Sequence, residues 1–125
     1  MIFAVVLGLA VGISMGFALD ITYPAEYSFY ITIGILAAMD SIIGAMRAMM
    51  EKNYNNLIFT TGFVTNAFLA MLLTFIGDRL GVPLYYAAIV VFGGRMFNNL
   101  AVIRRIGIDH YLERKNRKNE QNIEE

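Results

Sequence analysis

Long apolar stretches alternate with short polar segments along this chain, and the pattern predicts four membrane-spanning helices. The apolar stretches cover residues 1–19, 27–50, 57–76 and 84–103. Each is long enough to cross the hydrocarbon core, because a helix rises about 1.5 Å per residue and the core is about 30 Å thick. The connecting segments are short, which makes neighbouring helices antiparallel. We therefore predict an all-α integral membrane bundle of four transmembrane helices, with residues 1–112 as its one domain.

Two stretches of the pattern leave alternatives open. Residues 1–19 are also compatible with a signal peptide, but no basic residue precedes the apolar run, so we expect a retained span. Gly93 and Gly94 either lie within one continuous fourth span or break it into a re-entrant piece and an interfacial helix. We expect the continuous span. Residues 113–125 are rich in charged and amide side chains, which predicts a polar cytoplasmic tail that is disordered or a frayed helix.

Basic residues near the ends of the spans predict the topology. In a four-span protein the N-terminus, the 51–56 loop and the C-terminal tail lie on the same side of the membrane. That side carries eight of the basic residues, whereas the opposite side carries only Arg79. We therefore expect a multi-pass protein of the plasma membrane with both termini in the cytoplasm.

Composition supports a membrane protein and removes several classes of function. The 125 residues are 58% hydrophobic and 16% charged, whereas soluble domains are about 25% charged. The chain has no cysteine and one histidine, His110, which excludes thiolate sites and multi-histidine metal sites. Ten basic and ten acidic residues cancel, so no net field attracts nucleic acid. We expect no cofactor, no metal and no nucleic-acid partner. The lack of a plausible nucleophile and base argues against an enzyme.

Three glycines share one face of the first span. Gly8, Gly12 and Gly16 recur every four residues. Small residues at this spacing let a second backbone approach closely, which is how helices associate where lipid tails are as apolar as leucine. We expect these glycines to pack against another span of the same chain. Packing against a second copy of the chain is the alternative.

Three polar side chains from three different spans are predicted to form an intramembrane polar layer. Asp40, Asn66 and Arg95 each lie about 10–14 Å inside the cytoplasmic ends of their spans, counted at helical rise. An ionisable group within a span costs at least ~2.5 kcal/mol, so it normally has a partner. We expect an Asp40–Arg95 pair, bridged by Asn66, that fixes helix positions. The alternative is a site for an ion, a proton or a small polar ligand.

Further polar residues lie near the predicted layer. Ser41, Asn98 and Asn99 are secondary candidates for the same site. Arg47 lies on the helical face of Asp40, two turns later. It either shares Asp40 with Arg95 or extends to the lipid headgroups, as arginines near span ends commonly do.

Three segments resemble a known family. They are residues 37–48 (AAMDSIIGAMRA), 77–81 (GDRLG) and 91–105 (VFGGRMFNNLAVIRR). They resemble the small basic protein family of Gram-positive bacteria, in the order and at the spacing of that family. The resemblance implies a small multi-span membrane protein with no assigned activity. The family's genes typically lie beside cell-division and envelope genes, which implies a role there. This chain departs from the family in being neutral, with a pI near 6.6, so net basicity does not explain its function.

The sequence therefore predicts a non-enzymatic interaction or scaffold component linked to the bacterial cell envelope or division machinery. Its expected partners are the lipid bilayer and either another membrane protein or a second copy of itself. The alternative is a small transporter or channel component that uses the polar layer of Asp40, Asn66 and Arg95.

Overall fold

A computed structural model describes residues 2–20 and 22–124, which form four α-helices and one 3₁₀ turn. The helices are α1 (Ile2–Ala18), α2 (Ser28–Met50), α3 (Asn56–Leu80) and α4 (Tyr85–Glu124), and the 3₁₀ turn is Ala25–Tyr27. The prediction of an all-α fold is confirmed, and the described ranges contain no strand. Within them, α2, α3 and α4 are long and apolar enough to cross a membrane, whereas α1 is a shorter apolar helix. The structure thus supports three of the four predicted spans by length.

Helix α2 is the centre of the bundle, because α1, α3 and α4 all pack against it. At one end the Tyr30 hydroxyl of α2 donates to Asp78 of α3 over 2.7 Å. At the same end the Phe29 ring stacks on Tyr85 of α4, with ring centroids 4.3 Å apart. Helix α2 therefore runs antiparallel to α3 and parallel to α4. The buried core between these three helices consists of Ile33, Ala37, Ala70, Ala88 and Phe92.

Helix α4 is continuous and much longer than predicted. Gly93 and Gly94 lie inside it, so the fourth span is not a re-entrant piece followed by a separate helix. Residues 113–124, for which disorder or a frayed helix was predicted, are helical and continue α4 to Glu124. The tail is polar, but Glu, Lys, Arg and Gln are good helix formers. They extend a helix that is already nucleated, which costs far less than starting one.

Both ends of α3 have specific caps. At its start the Asn55 side chain accepts hydrogen bonds from the backbone N–H groups of Leu57 and Ile58, at 2.9 and 3.2 Å. At its end Gly81 has φ +68°, a left-handed conformation that favours glycine. One turn earlier, Gly77 lies against the α3–α4 connection: a Cβ there would be 2.5 Å from the Val82 carbonyl oxygen. The segment 77–81 therefore needs a glycine at each end to form this turn.

The prediction that the α1 glycines pack against another span of this chain is wrong. At Gly8, Gly12 and Gly16, an added Cβ would meet no other described part of the protein within 4 Å. The reason is that α1 contacts only α2 among the described helices, and it does so without using this face. The glycine face of α1, meaning Gly8, Gly12 and Gly16, is open within the single chain.

Candidate functional site

An ion pair connects α2 and α4. Arg95 Nη2 lies 3.2 Å from Asp40 Oδ2. The two ends of this pair differ in environment, because the Asp40 side chain is 0% exposed and the Arg95 side chain is 49% exposed. Neither carboxylate oxygen of Asp40 has a hydrogen-bond partner within the described ranges. The structure therefore brings the predicted acid and base together but leaves the buried acid incompletely satisfied.

An open cavity of about 330 Å³ adjoins this pair, between α2, α3 and α4. Its polar wall includes Asp40, Ser41, Asn66, Arg95 and Asn99. Residues 53–55 of the α2–α3 loop also line it, so the cavity lies toward that end of the bundle. We call it the polar cavity. It contains five of the residues that were singled out from the sequence.

The cavity forms where the packing along α3 changes. Gly62, Asn66, Ala70 and Thr74 are spaced four apart and share one face of α3. Ala70 and Thr74 are buried in the bundle at 2% and 0% exposure. Gly62 and Asn66 line the polar cavity instead. The same stripe of small residues is therefore a packed seam in its second half and an opening in its first.

Several predicted site residues take other positions. Asn66 lines the cavity, but among the described residues no bond joins it to Asp40 or Arg95, so the predicted bridge is not formed. Arg47 does not share Asp40: its Nε donates to Glu51 Oε1 over 2.9 Å and its Nη1 to Asn99 Oδ1 over 3.1 Å. Asn98 is exposed on α4 and is not part of the cavity wall.

The Arg47 contacts have a simple cause. Glu51 lies one turn beyond Arg47 on the same helix, so a charged partner is within reach at the end of α2. Turning back toward Asp40 would instead place a second cation beside Arg95. Arg47 therefore joins the end of α2 to Asn99 of α4, a residue of the cavity wall.

An apolar groove of about 200 Å³ begins where the polar cavity ends. It lies between α3 and α4, on the side away from the α2–α3 loop. Asn66 and Arg95 line both spaces. The remaining groove wall consists of Leu69, Ala70, Leu73, Ala87, Ala88, Val91 and Phe92. A polar compartment and an apolar compartment are thus joined at two polar side chains.

Sequence reasoning missed the residues that create the space. Gly44 and Gly62 line the polar cavity because they have no side chain to fill it. Asn53, Tyr54 and Asn55 form its wall at the α2–α3 loop. The only signal for them was the polar composition of that loop and the four-residue spacing from Gly62 to Asn66. Hydropathy describes the side chains that are present, so it gives no signal for space that is left unfilled.

The chemistry available in the cavity is the binding of complementary charges. One wall includes Asp40, whose buried carboxylate pairs with Arg95 but has no hydrogen bond within the described ranges, and Ser41, whose buried hydroxyl has none either. The other presents the half-exposed guanidinium of Arg95. Within the described ranges no group of three or more His, Cys, Asp or Glu residues is arranged for a metal ion. The set therefore suits a polar ligand that carries both a donor cation and an acceptor anion.

Comparisons with known proteins identify the family. Residues 23–108 match the family described as "Protein of unknown function (DUF1290)", so the match includes every residue that lines the polar cavity. The chain is 46% identical to the "Small basic protein" of Bacillus subtilis (strain 168) over 115 residues, which is 91% of this chain and 95% of the relative. Uncharacterised proteins of Mycobacterium bovis and Mycobacterium tuberculosis are 39% identical over 99 residues, 78% of this chain and 82% of each relative. No solved structure matches. The predicted resemblance is confirmed, and the chain belongs to the small basic protein family.

Proposed function

We propose that this protein is a non-enzymatic interaction component of the bacterial plasma membrane and that α1 is its docking helix. The observation that carries the proposal is the open glycine face of α1, at Gly8, Gly12 and Gly16. In a bilayer such a face gains nothing from lipid, because lipid tails are as apolar as side chains. It gains contact energy only when a second helix backbone comes close. A partner outside the single chain provides that backbone.

The partner that this face fits best is α1 of a second copy. Three glycines at a spacing of four form a face that is complementary to itself, and two identical helices pair by crossing at it. The dimer would contain two α4 helices, whose charged ends continue to Glu124. Beyond Ile103 this part of α4 is about 30 Å long and extends past the hydrocarbon core. A pair of such charged helices at the membrane surface supports a scaffold role near the envelope or division machinery.

Dimerisation through α1 is tested by replacing Gly12 with leucine. We expect Gly12→Leu to lower the apparent association constant by about tenfold or more, because the leucine side chain separates the two backbones. The constant is measured by energy transfer between donor- and acceptor-labelled copies in liposomes. The thermal stability of the monomer in detergent should not change, since an added Cβ at Gly12 meets nothing within 4 Å. The matched control is Val11→Leu, a neighbouring exposed position that keeps the glycine face intact. Equal association of both variants would contradict the proposal.

The orientation is part of the proposal and has its own test. Basic residues concentrate at the α2–α3 loop and along the end of α4, which favours a cytoplasmic location for both. A reporter fused at the C-terminus or inserted next to Tyr54 is therefore expected to be cytoplasmic. A reporter next to Thr22 is expected outside. An external C-terminus would contradict the proposed orientation.

A transporter or channel component is the second candidate, and the polar cavity is the observation that favours it. The cavity does not continue through the bundle, because Ile33, Ala37, Ala70 and Phe92 are buried beyond it. It is therefore a pocket rather than a pore in this conformation. For this reason we place the interaction function first.

A further inference from the structure

The buried carboxylate of Asp40 has one charged neighbour, Arg95 at 3.2 Å, and no hydrogen bond of good geometry within the described part of the chain. Asp40 is 0% exposed, and Ser41 beside it is 8% exposed. Both oxygens of Asp40 and Oγ of Ser41 have no hydrogen-bond partner within the described ranges. Buried polar atoms are nearly always paired in folded proteins, because leaving them unpaired costs free energy. Both residues line the polar cavity, but each of the three atoms exposes less than 1 Å² to it, so an occupant pairs with them only after a shift of these side chains.

The second charge of the cavity requires an anion. The Arg95 guanidinium has five N–H donors, and its ion pair engages only Nη2. Half of its side chain is exposed. An occupant that satisfies both walls therefore carries a donor cation for Asp40 and an anionic group for Arg95.

The size of the cavity indicates an occupant larger than an ion. Its volume is about 330 Å³, whereas one water molecule in the liquid occupies about 30 Å³. This value lies within the range of small-molecule sites, about 300–1,000 Å³. A bare metal ion or a single water would leave most of the space unfilled. A headgroup with two charged parts fills it better.

The apolar groove gives the occupant a second property. It meets the polar cavity at Asn66 and Arg95 and then continues between α3 and α4 past Leu69 and Val91. An apolar chain attached to the polar group can lie in this groove. The polar cavity lies toward the α2–α3 loop and the groove away from it. In the proposed topology this places the head toward the cytoplasm and the chain toward the bilayer centre, which is the orientation of a lipid in the cytoplasmic leaflet.

We infer that the polar cavity and the apolar groove together form a binding site for a phospholipid with a primary amine, of the phosphatidylethanolamine type. The ammonium group donates hydrogen bonds to Asp40 and Ser41, and the phosphate accepts them from Arg95. One acyl chain occupies the groove between α3 and α4. The site goes beyond the proposed interaction function: α1 lines neither space, and only the choice of leaflet rests on the orientation proposed above.

The first experiment compares lipids that differ only in the headgroup. The full chain in detergent is titrated with phosphatidylethanolamine, phosphatidylcholine and phosphatidylglycerol of identical acyl chains, and binding is measured by native mass spectrometry. We expect phosphatidylethanolamine to bind at least about tenfold more tightly than either, because only its ammonium has N–H donors for Asp40. Phosphatidylcholine has the same charges without those donors. Equal binding of the three lipids would overturn the inference.

The second experiment separates a lipid from a free headgroup compound. Glycerophosphoethanolamine presents the same phosphodiester and ammonium groups without acyl chains, so we expect it to bind about tenfold more weakly than the lipid, or weaker still. Filling the groove by Ala87→Phe should reduce lipid binding, and Ala101→Phe on the exposed side of α4 is its control. If glycerophosphoethanolamine binds as tightly as the lipid, the groove has no part in the site and the lipid assignment is wrong.

The third experiment fills the polar cavity without touching its charges. Gly62 lines the cavity with open space around it, and Gly107 on α4 also has open space but lies outside the cavity. Both Gly62→Leu and Gly107→Leu replace a helical glycine with a good helix former, so both variants are expected to fold. We expect only Gly62→Leu to lose phosphatidylethanolamine binding. Asp40→Asn, which keeps the side-chain size, should bind phosphatidylethanolamine and phosphatidylcholine equally. Unchanged lipid binding by Gly62→Leu, or an unchanged preference for phosphatidylethanolamine in Asp40→Asn, would place the lipid elsewhere.

Discussion

Replacing Arg95 with alanine is expected to lower the free energy of unfolding in detergent by about 3–5 kcal/mol, the usual cost of removing one partner of a buried ion pair. The reason is the position of Asp40, which is 0% exposed and has no other charged contact among the described residues. Removing Asp40 should cost less, because the Arg95 side chain is 49% exposed and faces an open cavity that admits water. The asymmetry between the two single variants is therefore part of the prediction.

A double-mutant cycle provides the decisive measurement. The combination of Asp40→Ala with Arg95→Ala leaves no unpaired charge, so it should recover much of the loss seen for Arg95→Ala alone. Chemical unfolding of the four proteins, followed by circular dichroism, gives the coupling energy. Arg104→Ala, at an exposed position of the same helix, is the control and should change stability by less than about 0.5 kcal/mol. Additive losses at positions 40 and 95 would show that the two charges do not interact.

Replacing Gly77 with alanine is expected to be the most damaging of the glycine substitutions, with a loss of about 1–3 kcal/mol. An added Cβ would lie 2.5 Å from the Val82 carbonyl oxygen and 3.0 Å from the Leu84 amide nitrogen. Both are backbone atoms of the α3–α4 turn, so neither moves aside without opening that turn. Helix propensity favours alanine by up to about 1 kcal/mol, and the expected loss is what remains after that gain.

Gly34 is the matched control for this prediction. It lies inside α2, and an added Cβ there meets nothing described within 4 Å. Gly34→Ala should therefore be neutral or stabilising, by at most about 1 kcal/mol. Thermal unfolding of both variants in the same detergent measures the contrast. A stabilised Gly77→Ala variant would mean that the turn after α3 is looser than the structure shows.

The helices could be predicted from hydropathy, but the end of α4 could not. Residues 27–50 and 57–76 agree closely with α2 and α3, because the same apolar residues that favour lipid also form the helix. Hydropathy falls after Ile103, whereas the helix continues to Glu124. The fall in hydropathy marks the point where the chain leaves the hydrocarbon core. Whether the backbone remains helical depends on propensity and on the turn before it, and these favour continuation.

The candidate site was predictable in depth but not in contacts. Helical rise is constant, so counting residues placed Asp40, Asn66 and Arg95 near one level, and all three line the polar cavity. Rotamer choice is not constant: Arg47 lies toward Glu51 rather than Asp40. The glycines of α1 show a related limit. Their spacing predicts a face suited to close packing, but it does not show which helix packs against that face.

The unbroken course of α4 has a mechanical consequence. One part of the helix forms a wall of the polar cavity at Arg95 and Asn99, and its far end is Glu124. The distance from Arg95 to Glu124 along the axis is about 44 Å at helical rise. Between Arg95 and Glu124 there is no proline and one glycine, Gly107, which lies inside the continuous helix. A change of about 5° in the tilt of α4 at the cavity would move its far end at Glu124 by about 4 Å. A small movement at the cavity would therefore become a larger displacement at the end of the helix.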